Sequence, residues 1–77
     1  MMKQYRIEKA KITFMASSTN QGASIVVSIH HTNFINYHTR PYPSEAERDL
    51  AFQRIDSTHA NEHLTAALIL HQRTLII

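Results

Sequence analysis

Apolar and polar residues alternate with period two over most of the first forty positions, the pattern of strands that bury one face. Between Gln4 and Met15 the phase changes: Tyr5 and Ile7 are odd-numbered, whereas Ala10, Ile12 and Phe14 are even. One strand keeps both sets on a single face only by inserting a residue, which predicts a bulge near Glu8 and Lys9, with two shorter strands as the alternative. The polar stretch Ser17 to Gly22 ends in the only glycine and predicts a hairpin loop. Ala23, Ile25, Val27 and Ile29 then alternate with Ser24, Val26, Ser28 and His30 in the clearest strand of the chain. Ile35 and Tyr37 continue its odd phase, but a strand from Ala23 to Thr39 would exceed the usual length of about three to ten residues. The chain is therefore expected to turn at His31-Thr32-Asn33 and to run on as a third strand from Phe34 to Arg40.

Pro41 and Pro43 lack amide donors and restrict the residues before them, so Arg40-Pro41-Tyr42-Pro43 reads as a rigid connector. Ser44-Glu45-Ala46-Glu47 is a capping box, and it predicts a helix from Glu45 to Ile55 with Phe52 and Ile55 against the sheet and Leu50 turned away. After the polar break Asp56-Ser57-Thr58, good helix formers predict a second helix from Asn61 to Arg73, with Ala60, Leu64, Ala67 and Leu68 as its inner stripe. Strand is the alternative for Ala67 to Ile77. The apolar tail from Thr74 to Ile77 is expected to be buried, as an edge strand or against a second copy of the chain. Together these elements predict an α+β fold: a three-stranded antiparallel β-meander with two helices on one face, in the order β-β-β-α-α.

Seventy-seven residues make one small domain, spanning 1–77. The absence of cysteine excludes disulfides, thiolate metal sites and cysteine nucleophiles, and it fits a cytoplasmic protein. The longest apolar run, Ala66 to Leu70, falls far below the length of about 18 residues that a membrane span requires, so a soluble chain is expected. The net charge of +2 conceals an asymmetry. Lys3, Arg6, Lys9, Lys11 and Arg40 face only Glu8 in the first forty residues, whereas five carboxylates outnumber three arginines in the remainder. If the two halves form different layers, the domain is dipolar and one side is drawn to anionic surfaces.

Six histidines raise the question of metal binding. His59-Ala60-Asn61-Glu62-His63 resembles the H-x-x-E-H pattern of inverzincin metalloproteases, over five residues only. A catalytic zinc needs a third protein ligand, and His71, the remaining candidate downstream, lies about 80° round a helix from His63. No metal, other cofactor or catalytic residue is therefore assigned, and His59 and His63 are expected on the solvated start of the helix. Asp56, Ser57 and His59 contain the residue types of a hydrolytic triad, but they are neighbours in a turn without a nucleophile elbow. A single glycine leaves no phosphate-cradling loop.

His30, His31 and His38 surround the expected third-strand turn, within reach of cross-strand pairing. With Asn33, Phe34, Asn36 and Tyr37 they form a polar, aromatic rim, and Phe34, opposite in phase to Ile35, is expected to place an apolar spot on the sheet side away from the helices. Lys9, Lys11, Arg6 and Arg40 add the charge of a nucleic-acid platform, but the signatures of RRM, KH and cold-shock modules are absent. The expected partner-binding set is Lys9, Lys11, His30, Asn33, Phe34, Asn36, His38 and Arg40. In its general profile the chain resembles the small accessory proteins of phages and mobile elements, anti-CRISPR proteins among them. That resemblance implies a non-enzymatic, stoichiometric inhibitor that binds a larger host protein or nucleoprotein complex. The alternatives are a small RNA- or DNA-binding protein that uses the basic strand face, and a small motif-less RNase, which requires a concave pocket gathering His and Arg.

Overall fold

The computed structural model describes the backbone of residues 1–76 and the side chains of residues 1–73. Four strands, β1 (Met2–Ile7), β2 (Ala10–Thr19), β3 (Gly22–His31) and β4 (Ile35–Tyr42), form an antiparallel meander in chain order. The expected α+β architecture is present, but the sheet has four strands in place of three. The stretch from Gln4 to Met15 is not a bulged strand but the alternative, two strands, which form a hairpin: Ile7 pairs with Ala10 and Tyr5 with Ile12 across the two-residue turn Glu8-Lys9, where Glu8 adopts φ 51°. The phase change arises because a two-residue turn sets odd positions opposite even ones. Asn-Gly or Asp-Gly, the usual markers of such a turn, are absent from it.

The remaining hairpins obey the same rule. The second is tighter than the six-residue loop expected, since β2 continues to Thr19, only Asn20 and Gln21 lie outside the ladder, and Gly22 opens β3 at φ +123°. In the third, His31 N–H donates to Phe34 C=O at 2.9 Å, and Ile29 pairs with Asn36. Ile35 and Tyr37 therefore do not continue the buried phase but point outward, at 60% and 64% exposure. Pro41 lies inside β4 opposite Ser24, not in a separate connector, which the fold tolerates because β4 is an edge strand.

Ala10, Ile12 and Phe14 from β2 and Ile25, Val27 and Ile29 from β3 make the sheet's half of the core. Helix α1 (Glu45–Gln53) starts as its sequence dictates, with Ser44 Oγ accepting from Glu47 N–H at 3.2 Å. Its Phe52 is buried, whereas Leu50 is exposed. The far end of α1 is closed by a side chain from β1: Lys3 Nζ donates to the carbonyl of Phe52 in the last turn at 2.8 Å and to that of Ile55 just beyond the helix at 3.0 Å. Tyr5 Oη adds a 3.3 Å bond to the Ile55 carbonyl.

Helix α2 (Ser57–Ile76) begins four residues earlier than expected because Asp56 Oδ1 accepts from Thr58 N–H at 3.0 Å and His59 N–H at 3.2 Å. Ala60, Leu64 and Ala67 form its buried stripe, as the periodicity predicts. Strand is excluded for 67–76, so the expected tail pairing as an edge strand is not found; burial of residues 74–77 lies outside the described side chains. Among the described residues, no helix is long and apolar enough to cross a membrane.

Candidate functional site

The eight residues expected to bind a partner are divided by the sheet. Lys11 and His30 lie on the open face, and Lys9 and Asn33 occupy turns at the same end of the sheet. Asn36, His38 and Arg40 belong to the helix side, because their partners Ile29, Val27 and Ile25 are core residues. Phe34 does not form the outward apolar spot. It is half-buried and stacked between His31 and His71, each with ring centroids 4.8 Å away. Cross-pairing of the histidines near this turn is also replaced, since His30 opposes Ile35 and His38 opposes Val27.

The open face carries a row of cationic and polar groups, in which Arg6 pairs with Lys11, Lys11 with His30, and His30 with Ile35. His30 also meets Tyr37 edge-on, with centroids 5.9 Å apart. Further along, Met2, Met15 and Val26 form a second row, two of them exposed methionines. None of the four strands contains Asp or Glu, so every formal charge on this layer outside the turns is positive. The sheet and helix layers thus realise the charge asymmetry of the two halves of the chain.

On the opposite side, α2 rests against β1 and β2, and α1 spans β2, β3 and β4. The flank of β4 is left partly uncovered, and a groove of about 310 Å³ opens there. Phe14, Ile25 and Val27 line its apolar part, with His38, Arg40 and Tyr42 from β4, Arg54 at the end of α1, and His59 and His63 from α2. It continues into a second recess of about 350 Å³ that shares Val27, His38 and His63. A concave pocket gathering His and Arg, the feature a small motif-less enzyme requires, is therefore present. Comparison with protein-family models, curated proteins and solved structures finds no match.

Sequence reasoning misplaced His63. It is half-buried instead of solvated, sits edge-on to Phe14 with centroids 5.5 Å apart, and lies 6.3 Å from the ring of His38. Burial lowers its proton affinity below the ordinary value of 6.5, and the nearby charges of His38, His59 and Arg40 add to the effect while Glu62 opposes it. The signal was available in the inner stripe itself, because His63 precedes Leu64 and lies one turn after Ala60. His59 stays exposed, with Nδ1 2.9 Å from Asp56 Oδ1. Its backbone N–H is the largest of the causes that hold the Asp56 carboxyl below 3.8. His71 faces Phe34, and among the described residues no three His, Asp or Glu side chains form a metal-binding group.

Proposed function

We propose that the protein is a stoichiometric protein-binding module whose open sheet face docks on an acidic surface of a larger partner. The observation that carries this reading is the absence of any carboxylate from four strands whose outer face also exposes Met2, Met15, Ile35 and Tyr37. An apolar patch beside positive charge suits a protein surface of opposite sign. Methionine supplies adaptable contact area, whereas a nucleic-acid platform relies on aromatic rings and this face offers only Tyr37 and the imidazole of His30. Inhibition of a host complex by this route means occupying one of its acidic surfaces, since mimicry of nucleic acid needs the opposite charge.

Capture from a host lysate, identified by mass spectrometry and repeated with variants, tests the proposal. The expected result is a partner with an acidic binding surface, lost with Met15→Asp and with Lys11→Glu but retained with the groove variant Arg40→Gln. Capture that ignores both open-face variants, or retention of nucleic acid alone with steep salt dependence, overturns it.

A further inference from the structure

Among the described residues, the groove beside β4 collects positive charge without an answering anion. Arg40 and Arg54 face it from two different elements, and among the described residues neither guanidinium joins an ion pair; Arg40 lies 5.5 Å from the centre of the Tyr42 ring. His38 and His63 project from β4 and α2, and their ring separation of 6.3 Å is too wide for a direct hydrogen bond. It suits one tetrahedral anion accepting from both rings at about 2.8 Å. Among the described residues no carboxylate lines the groove: Asp56 is engaged with His59, and Glu62 acts on His63 from along α2. Phe14, Ile25 and Val27 line its apolar part, and such surroundings strengthen any charge interaction formed above them.

We infer that this groove is a binding site for a phosphate group, held by Arg40 and Arg54 and bracketed by His38 and His63. The site lies on the opposite side of the sheet from the docking face and does not depend on it. Arginine presents paired donors that match phosphate oxygens, and the imidazoles donate when protonated. Burial and, after it, the neighbouring cationic groups disfavour the charged form of His63, and a bound anion offsets both, so binding takes up protons at this imidazole. Asp56 and Glu62 oppose the anion from outside the lining, whereas His59 reinforces the histidine pair.

The test is an NMR titration of the full chain, following the imidazole signals, with inorganic phosphate, a 5′-mononucleotide and a short single-stranded RNA as separate ligands. Saturable shifts of His38, His59 and His63 are expected, with the titration midpoint of His63 moving up. Affinity should fall about tenfold or more in Arg40→Gln/Arg54→Gln, a difference of 1.4 kcal/mol at the threshold. Both side chains are exposed, so this variant should keep its melting temperature, and Lys11→Gln should bind as the parent does. Equal affinity for all three ligands assigns the site to a lone phosphate, whereas tighter binding of the mononucleotide or RNA at the same resonances assigns it to a nucleotide. A response that does not saturate, that equals the response to sodium chloride at matched ionic strength, or that survives in the double variant overturns the inference.

Discussion

Arg48 is only 7% exposed, yet among the described residues it has no charge partner beyond its neighbour Asp49. Nη1 donates to Ser17 C=O and Ser18 Oγ, both at 2.7 Å, and so ties α1 to the end of β2. Arg48→Met should cost about 2–3 kcal/mol of stability, read as a lower urea midpoint, because the methionine fills space but supplies no donor. His63 makes a different kind of prediction. Its folded proton affinity is below 6.5, so as pH falls beneath that value the unfolded chain binds a proton before the native one does. Stability should therefore fall on acidification through this window and level off once the native imidazole also titrates, and His63→Gln should flatten the slope in denaturation curves measured from pH 7 to pH 5. Neither residue's place follows from local pattern. A charged side chain on a short helix reads as solvated, and the acceptor that buries Arg48 lies 31 residues away in sequence.

Asp56, which opens α2, was not legible as a cap and reads in sequence as a polar break. Ser44 was legible, and Ser44→Ala should lower stability by about 1 kcal/mol in urea titration. The other end of α1 was not, because its cap comes from the opposite terminus of the chain. Lys3→Met should cost about 1–2 kcal/mol and speed amide exchange in the last turn of α1, since the carbonyls of Phe52 and Ile55 lose a cationic donor. The strands were found by alternation, and the core positions of β2 and β3 follow from it directly. The count failed at Glu8-Lys9, where a tight turn lacks glycine and its phase change imitates a bulge. The same cause hid the groove: with Ile35 and Tyr37 assigned inward, His38 and Arg40 could not be seen to face α2.

As a whole molecule, the domain is two layers sharing one core, and the described residues form no second cluster that could persist alone. Helix content by circular dichroism and the tyrosine fluorescence of the variant Tyr37→Phe, which leaves Tyr5 and Tyr42 between the layers as the reporters, should lose their native signals at a common urea concentration. A midpoint for tyrosine well below that for the helices would mean that the layers part before either melts.

The two-residue turn Thr32-Asn33 has a consequence for how such a protein can change over generations. It alone decides which edge of the alternation in β4 meets the helices. One added residue, with the turn kept at two residues and β4 slipped by one position against β3, would carry Ile35 and Tyr37 inward and deliver Asn36, His38 and Arg40 to solvent. The cleft would fill with aliphatic and aromatic bulk, and the outer surface would exchange its greasy rim for an imidazole and a guanidinium. A single inserted codon that shifts this pairing by one would thus abolish one recognition surface and rewrite the other, which makes the register set at this turn, more than any side chain in the cleft, the inherited variable on which both surfaces depend.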